Sequence, residues 1–256
     1  MKIATYNVNG VNGRLPRLLE WLAETAPDIV CLQELKTDDT KFPAAALANA
    51  GYGAIWHGQR AHHGVAILAK GTPLREIRRG LPGDADDREA RYVEAEVGGI
   101  VIASVYLPNG NPQPGPRFAY KLAWFDRLIT HAGALRASGA PVVLAGDFNV
   151  VPTDADIYNA HAWREDAVMQ TETRDAWQRL LSEGWIDATR RLHPTQRIYT
   201  YWVNTFAFRR NAGFRTDFLL LTPALAARLE ATGVDTKYRG RERPSDHAAV
   251  WIEVSA

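Results

Sequence analysis

The segment Ala140-Pro141-Val142-Val143-Leu144-Ala145-Gly146-Asp147-Phe148-Asn149 contains a run of small and apolar residues between a proline and a glycine. Such a run predicts a strand buried on both faces, as in the sheets of α/β proteins. Asp147 and Asn149 follow at its carboxyl end, where α/β sheets carry their ligand chemistry. Residues i and i+2 of an extended segment point to the same side, so both side chains can address one substrate atom. The alternative is a loop that caps the next helix through Asx turns.

Three other predicted strands end in polar residues. Asn7 follows the strand Ile3 to Tyr6, Glu34 follows Ile29 to Leu32, and Tyr106 closes the run that begins at Ile100. Asn7 could orient Glu34, hold a metal-bound water or form a turn. Glu34 could instead be a helix N-terminal charge, and Tyr106 could either donate its phenol to a phosphate oxygen or seal the edge of the core.

The composition sets limits on the class of protein. The 256 residues are 46% hydrophobic and 23% charged, with a net charge of +1, so any basic surface must be local. The single cysteine, Cys31, excludes a disulfide framework and a cysteine zinc site. The amino terminus lacks the apolar region of a signal peptide, and no apolar run approaches the roughly 18 residues of a membrane span. These features predict a cytoplasmic protein with no membrane partner.

A local basic surface is predicted between Thr189 and Thr216, a segment with no acidic residue. Guanidinium groups bind phosphates bidentately, and aromatic rings stack on bases or line a pocket for a sugar. The alternative is an arginine-rich loop packed by its own aromatics. The segment contains Arg190, Arg191, Arg197, Arg209, Arg210 and Arg215, interleaved with Tyr199, Tyr201, Trp202, Phe206, Phe208 and Phe214.

Two further loops contain titratable residues. Arg60 precedes the adjacent histidines His62 and His63, which could touch an anionic partner but are poorly placed to share a metal ion. Asp246 and His247 stand at a loop-to-strand junction, where they point to opposite faces if extended. By themselves they are compatible with proton transfer and equally with an ordinary loop.

Taken in order, the motifs resemble those of the exodeoxyribonuclease III and apurinic/apyrimidinic endonuclease family, within the endonuclease/exonuclease/phosphatase superfamily. The resemblance covers nearly the whole chain and implies one α/β domain over 1–256. Its fold would be a four-layer α/β sandwich, two packed mixed β-sheets flanked by helices. The motifs are Tyr6-Asn7-Val8-Asn9-Gly10, Leu32-Gln33-Glu34, Val105-Tyr106-Leu107-Pro108-Asn109-Gly110, Gly146-Asp147-Phe148-Asn149, Arg215-Thr216-Asp217 and Ser245-Asp246-His247.

The resemblance implies a nuclease that hydrolyses phosphodiesters with Mg²⁺ or Mn²⁺, acting as a monomer on double-stranded DNA with abasic sites or blocked 3′ ends. The implied metal residues are Asn7, Glu34 and Asp246. The implied catalytic residues are Asp147 and Asn149 for the attacking water, Tyr106 for the scissile phosphate, and His247 oriented by Asp217. The implied DNA-binding residues are Lys36, Arg60, Asn109, Tyr201, Trp202, Arg209, Arg210, Phe214 and Arg215.

The chain departs from the family pattern at two positions, of which Thr216 belongs to the implied pocket for an abasic sugar. Val203 follows Trp202 where an aspartate is frequent, and Thr216 precedes Asp217 where an aliphatic residue is usual. We expect Thr216 to widen the pocket and to shift the balance between abasic-site incision and 3′ exonuclease activity. An unchanged ratio of the two activities in Thr216→Leu would count against this expectation.

Two other functions compete with this prediction. One is a superfamily phosphoesterase that acts on a substrate other than DNA, against which the arginine and aromatic segment argues. The other is a DNA-damage-binding protein with a silent site, against which the full set of chemical residues argues. The fold alone distinguishes neither.

Overall fold

Two six-stranded mixed sheets form the centre of the computed structural model, which describes residues 1–255. The first contains, in spatial order, Leu229–Val234 (β11), Val250–Val254 (β12), Lys2–Asn7 (β1), Ile29–Gln33 (β2), Val65–Lys70 (β4) and Tyr52–His57 (β3). The second contains Leu74–Arg79 (β5), Tyr92–Val97 (β6), Ile100–Tyr106 (β7), Val142–Asp147 (β8), Asp217–Leu221 (β10) and Ile186–Asp187 (β9). The pairs β1/β2 and β7/β8 are parallel, and the other pairs are antiparallel.

Helices cover the outer face of each sheet. Leu18, Trp21 and Leu22 of the first helix pack on β1 and β2, at the spacing of one helical face. The third and fourth helices cover the second sheet in the same way, so the predicted four-layer α/β sandwich is confirmed. The helices are Val11–Thr25 (α1), Ala44–Asn49 (α2), Pro116–Ala137 (α3), Thr171–Ser182 (α4), Ala188–Leu192 (α5), Thr205–Arg209 (α6), Pro223–Ala226 (α7) and Thr236–Arg239 (α8).

The largest apolar cluster lies between the two sheets. Alternate residues of each strand enter it, such as Ile3 and Ile29 from the first sheet and Ile102 and Val143 from the second. The intervening residues face the helices, which is why the central strands are apolar on both faces. Each fully buried valine or isoleucine contributes about 1.5–3 kcal/mol.

The strand pairing brings the predicted polar ends to one edge of the sandwich. Parallel pairing sets Asn7 opposite Gln33, the residue before Glu34, and sets Tyr106 opposite Asp147. Strand β10 runs antiparallel to β8, with Asp217 opposite Asp147. A carboxylate at the start of β10 therefore reaches the same edge as the carboxylate at the end of β8.

Gly146 allows strands β7 and β8 to approach closely. An added Cβ at this position would lie 1.8 Å from the carbonyl oxygen of Val105. We expect Gly146→Ala to force the strands apart beside Asp147 and to lower both the thermal midpoint and activity, because overpacking of a buried site costs about 1–3 kcal/mol or more. Gly13→Ala in α1 is the matched control, since its Cβ would meet nothing within 4 Å. Equal thermal midpoints for the two variants would contradict the prediction.

A short helix and an edge strand follow β10. The helix α7 ends at Ala226, and strand β11 begins at Leu229. Strand β11 is only half-buried, so its sequence shows no clear alternation of apolar and polar residues. In the acidic loop Asp84-Ala85-Asp86-Asp87 the first three residues are exposed, whereas the Asp87 carboxylate packs against the Arg127 guanidinium and the Tyr120 phenol. No helix within residues 1–255 is both long and apolar enough to cross a bilayer.

Candidate active site

A cavity of about 180 Å³ opens at the edge where the polar strand ends meet. Most of the predicted catalytic residues line it, together with part of the predicted DNA-binding set. The predicted residues in its lining are Glu34, Tyr106, Asn109, Asp147, Asn149, Tyr201, Phe214, Asp246 and His247. The structure therefore brings residues from both sheets to one site.

Asn7 links the two central carboxylates. Its Nδ2 donates to Glu34 Oε1 and to Asp147 Oδ2, both at 2.9 Å. Its Oδ1 accepts the backbone N–H of Asn9 at 3.1 Å. Both ends of the amide are thus engaged within the protein. In this arrangement Asn7 orients the carboxylates, the first of the roles left open for it, and its Oδ1 keeps a second lone pair that a metal ion could use.

The backbone at two of the strand ends is in the left-handed region. Glu34 has φ 52° and Asn149 has φ 45°, and such conformations cost about 1–3 kcal/mol for a non-glycine residue. Surrounding hydrogen bonds hold both turns. The Glu34 carbonyl accepts the Gly10 N–H at 2.7 Å, and the Asn149 N–H donates to Asp147 Oδ1 at 3.0 Å. These contacts fix the directions of the side chains that enter the cavity.

A buried histidine faces the carboxylates. His247 Nδ1 lies 2.9 Å from Asp217 Oδ2, and His247 Nε2 lies 3.8 Å from Asp147 Oδ2. Thr200 and Thr216 donate their hydroxyls to the same Asp217 oxygen at 2.6 and 3.2 Å. The proximity of Asp217 and His247 implied by the family resemblance is thus present in the structure.

The electrostatics of this pair suit proton transfer. Burial lowers the pKa of His247, but the nearby Asp217 and Asp147 outweigh it and raise that pKa to about 10. Burial raises the pKa of Asp147 to about 7, although His247 opposes the shift. The imidazole is therefore a cation at neutral pH. The Asp147 carboxyl can gain or lose a proton there, as a general base requires.

Tyr106 places a neutral donor beside Glu34. Its hydroxyl donates to Glu34 Oε1 at 3.0 Å, and the Arg91 guanidinium lies 4.9 Å from the ring centroid. Burial raises the pKa of the Tyr106 phenol well above its usual value, and Glu34 and Asp147 raise it further. The phenol therefore keeps its proton and can donate to an anionic oxygen.

Lys121 is a site residue that the sequence analysis missed. Its ammonium group is fully buried and donates to the carbonyls of Pro108, Asn109 and Asn149 at 3.1, 3.1 and 2.5 Å. It thereby joins the loops that follow β7 and β8. Burial lowers its pKa to about 7 despite the opposing effect of Asp147. The sequence feature that indicates its burial is its helical spacing from Phe118 and Phe125, which places it on the apolar face of α3.

We expect Lys121→Met to lower kcat by about 10- to 100-fold with a smaller change in KM. The loss of the ammonium leaves three buried carbonyls unpaired, each at a cost of about 1–3 kcal/mol, and releases the loops that position Asn109 and Asn149. Lys121→Arg should recover part of kcat because it restores a donor. Steady-state kinetics and thermal unfolding measure both effects, with the exposed Lys70→Met as control. Loss of stability with unchanged kcat would refute the positioning role.

The donor set fits a divalent cation. A carboxylate oxygen of Glu34, one of Asp147 and a ring nitrogen of His247 lie within 4.8 Å of one another. Because the cationic imidazole has no free lone pair, the two carboxylates are the groups that would hold the cation. Carboxylate oxygens are the ligands that Mg²⁺ and Mn²⁺ prefer. Asp246, predicted as a metal residue, is outside this group; its Oδ1 accepts from Asn9 Nδ2 at 2.9 Å. Glu34 Oε2 also pairs with Lys36 Nζ at 2.8 Å.

Two of the predicted DNA-binding residues are buried away from the cavity. Arg215 is 1% exposed and its guanidinium pairs with Asp156 and Asp187, at 2.8 and 2.7 Å. Trp202 is 1% exposed and packs edge-on against Phe208. Neither side chain can reach DNA, so these two predictions were wrong.

The other predicted DNA-binding residues are exposed, half-buried or part of the cavity lining. Arg209 and Arg210 are exposed on and after α6, and Arg60 is exposed but pairs with Asp38 at 2.8 Å. Tyr201 and Phe214 form an aromatic wall with ring centroids 4.7 Å apart. Thr216 lines the cavity as expected. The sequence analysis missed further wall residues, namely Trp163, Asp166 and Val168.

Comparisons with known proteins agree with this geometry. Residues 4–247 match the Endonuclease/Exonuclease/phosphatase family. The chain is 33% identical to exodeoxyribonuclease III of Haemophilus influenzae, over 99% of each chain. It superposes on the 3′ phosphatase NExo from Neisseria bound to a product DNA hairpin with a TM-score of 0.96 and 40% identity, over 100% of both chains. An AP endonuclease from Archaeoglobus fulgidus gives a TM-score of 0.95 and 33% identity over 100% of both chains.

The fold and the site together define a phosphodiester hydrolase of a divalent-metal-dependent class. The chain belongs to the Endonuclease/Exonuclease/phosphatase family, in which its full-length relatives are exodeoxyribonuclease III and AP endonuclease enzymes. The family membership indicated by the sequence motifs is confirmed.

Proposed function

We propose that the protein is a DNA repair nuclease that uses Mg²⁺ or Mn²⁺ to hydrolyse duplex DNA on the 5′ side of abasic sites and at blocked or ordinary 3′ ends. One observation carries the proposal. The Glu34, Asp147 and His247 group shares a cavity with the aromatic wall of Tyr201 and Phe214. The names of the relatives, which include a nuclease and a 3′ phosphatase, support the same substrate class.

The residues divide the hydrolysis among them. Asp147, with Asn149 beside it, holds the attacking water and takes its proton as the new P–O bond forms. The bond from phosphorus to the 3′ oxygen of the preceding nucleotide breaks, and that oxygen leaves as a hydroxyl after taking up a proton from solvent. His247, kept cationic by Asp217, neutralises charge that develops on the scissile phosphate, and Tyr106 donates its hydroxyl to a phosphate oxygen. These groups are fixed before substrate arrives, which is what makes such donors effective. A divalent cation held by Glu34 would add charge neutralisation at the same phosphate.

The size of the cavity favours a sugar without its base. Its 180 Å³ is below the roughly 300–1,000 Å³ of pockets that enclose larger ligands. Rotating a nucleotide out of the helix costs least where its base is already lost or unpaired. The terminal nucleotide of a frayed 3′ end and an internal abasic sugar both meet this condition.

The first experiment is incubation with a labelled duplex that carries one abasic-site analogue. We expect cleavage on the 5′ side of the analogue with Mg²⁺ or Mn²⁺ and none with chelator. Metal-dependent hydrolysis of other phosphoesters without cleavage of any DNA would favour a different substrate class. Full DNA affinity without product would favour a binding protein with a silent site.

Three sequence predictions stay predictions. The cytoplasmic location and the monomeric state await fractionation and light scattering. The single domain over residues 1–256 awaits limited proteolysis.

A further inference from the structure

Asp166 adds a carboxylate to the wall of the active-site cavity, apart from the catalytic group. Its position is fixed by the turn that contains it. Its N–H donates to the Trp163 carbonyl at 2.8 Å, and its own carbonyl accepts from the Met169 N–H and from Gln170 Nε2, both at 3.0 Å. The side chain caps the turn because Oδ1 accepts the Val168 N–H at 3.0 Å.

The second carboxylate oxygen of Asp166 is free. Within residues 1–255 no hydrogen bond or ion pair engages Oδ2, whereas Oδ1 is used by the cap. The neighbouring wall is aromatic and apolar, with Trp163, Val168 and Phe214. No lysine or arginine lines the cavity among the described residues. The Asp166 charge is therefore not balanced by a cation at this wall.

The Asp166 carboxylate is close enough to affect the pKa of two neighbouring groups. Burial is the main cause of the raised pKa of the Tyr201 phenol, and Asp166 adds to that shift together with Asp246, Asp147 and Glu34. It also opposes the effect of burial on the pKa of Lys121. Asp166 thus contributes negative potential where the sugar of a bound nucleotide would lie.

We propose that Asp166 determines substrate specificity by favouring a 3′-terminal nucleotide over an internal one. This inference rests on the proposed function. A terminal sugar ends in a hydroxyl, which can donate a hydrogen bond to Asp166 Oδ2. An internal sugar carries a phosphate at the same oxygen, and the negative charges of that phosphate and of Asp166 repel each other. Asp166 therefore strengthens the binding of 3′ ends and weakens the binding of internal abasic sites.

The test compares Asp166→Asn with the wild type on two duplexes in the presence of Mg²⁺. One has a recessed 3′-hydroxyl end and the other an internal tetrahydrofuran analogue of an abasic site. Asparagine keeps the size of the side chain and can still cap the Val168 N–H through Oδ1. The variant removes the negative charge and replaces the Oδ2 acceptor by an N–H donor. We expect the ratio of internal to terminal kcat/KM to rise by about tenfold.

Glu165→Gln is the matched control because it makes the same change of charge one residue away. Glu165 is exposed, pairs with Arg164 at 3.1 Å and is not part of the cavity lining. We expect the ratio of internal to terminal kcat/KM in Glu165→Gln to equal that of the wild type. An equal rise in both variants would overturn the proposal, since it would show a general effect of net charge.

The dependence of the cleavage ratio on salt concentration distinguishes an electrostatic role of Asp166 from a purely structural one. Screening weakens charge repulsion, so the wild-type ratio of internal to terminal cleavage should rise between low and high ionic strength. The ratio in Asp166→Asn should change much less. A 2′,3′-dideoxy end should be a poorer substrate than a 3′-hydroxyl end for the wild type, with a smaller difference for the variant.

The outcomes separate this inference from the proposed function. If the wild type cleaves neither duplex with Mg²⁺ or Mn²⁺, the proposed function fails. If the wild type cleaves DNA and Asp166→Asn leaves the ratio and its salt dependence unchanged, the function stands and the role of Asp166 is refuted.

Discussion

His247→Asn is expected to lower the single-turnover rate on an abasic or recessed duplex by about 100- to 1000-fold, the range for loss of one fixed donor at a developing negative charge. The imidazole is buried, hydrogen-bonded to Asp217 at 2.9 Å and cationic at neutral pH. Asparagine can still accept or donate one hydrogen bond, but it carries no charge toward the scissile phosphate. DNA affinity should fall far less than the rate.

The chain offers a matched control for this variant. His131 is a second histidine beside a carboxylate, with Nε2 2.8 Å from Glu94 Oε2, but it is half-buried, lies on α3 and is outside the cavity. His131→Asn should change stability without lowering the rate. Asp217→Asn should give an intermediate loss, because the histidine remains while its charge is no longer favoured. If His247→Asn cleaved DNA at the wild-type rate, His247 would have no role in the mechanism.

The sequence predicted much of the site because several of its residues follow short, buried strands. Apolar runs such as Ile29 to Leu32 define a strand locally, and the polar residue after each run marks its end. Pairing within α/β sheets then places those ends at one edge. Asn7, Glu34 and Asp147 could be grouped in this way without knowledge of the three-dimensional structure.

The remaining features depend on contacts between distant parts of the chain. Asp217 joins the site through the antiparallel register of β10 against β8, which no local pattern encodes. Arg215 resembles the other arginines of its segment, and only its pairing with Asp156 and Asp187 makes it a buried structural residue. Composition alone does not distinguish a buried network of paired charges from a DNA-binding surface.

The same limitation applies to the wall of the cavity. Asp166 lies in a stretch of short turns between β8 and α4, where hydrophobic periodicity gives no signal. Its position follows from hydrogen bonds such as that from Ala167 N to Asn111 Oδ1, which ties this turn to the loop after β7. The specificity residue proposed above therefore lies in a segment that sequence patterns describe least well.

Glu34→Gln is expected to abolish measurable cleavage, with a loss at least as large as that of His247→Asn, and to weaken binding of Mn²⁺ to the protein alone. Glu34 is the carboxylate that Asn7 and Tyr106 both orient, through hydrogen bonds of 2.9 and 3.0 Å to Oε1. Glutamine keeps the size of the side chain, but it removes the negative charge that a hard cation requires. It also removes the carboxylate that pairs with the Lys36 ammonium, which then keeps only its hydrogen bond of 2.6 Å to Asn9 Oδ1.

Calorimetric titration with Mn²⁺ tests the Glu34 prediction independently of turnover, and cleavage of an abasic duplex over a range of Mn²⁺ concentrations tests it during catalysis. Glu96→Gln is the control, because that carboxylate pairs with Arg75 on the outer strands of the second sheet, away from the cavity. If the cation lies at Glu34, excess Mn²⁺ should restore part of the lost activity by mass action, whereas it should not rescue His247→Asn. Unchanged Mn²⁺ affinity in Glu34→Gln would mean that Asp147 and the surrounding donors hold the cation without it.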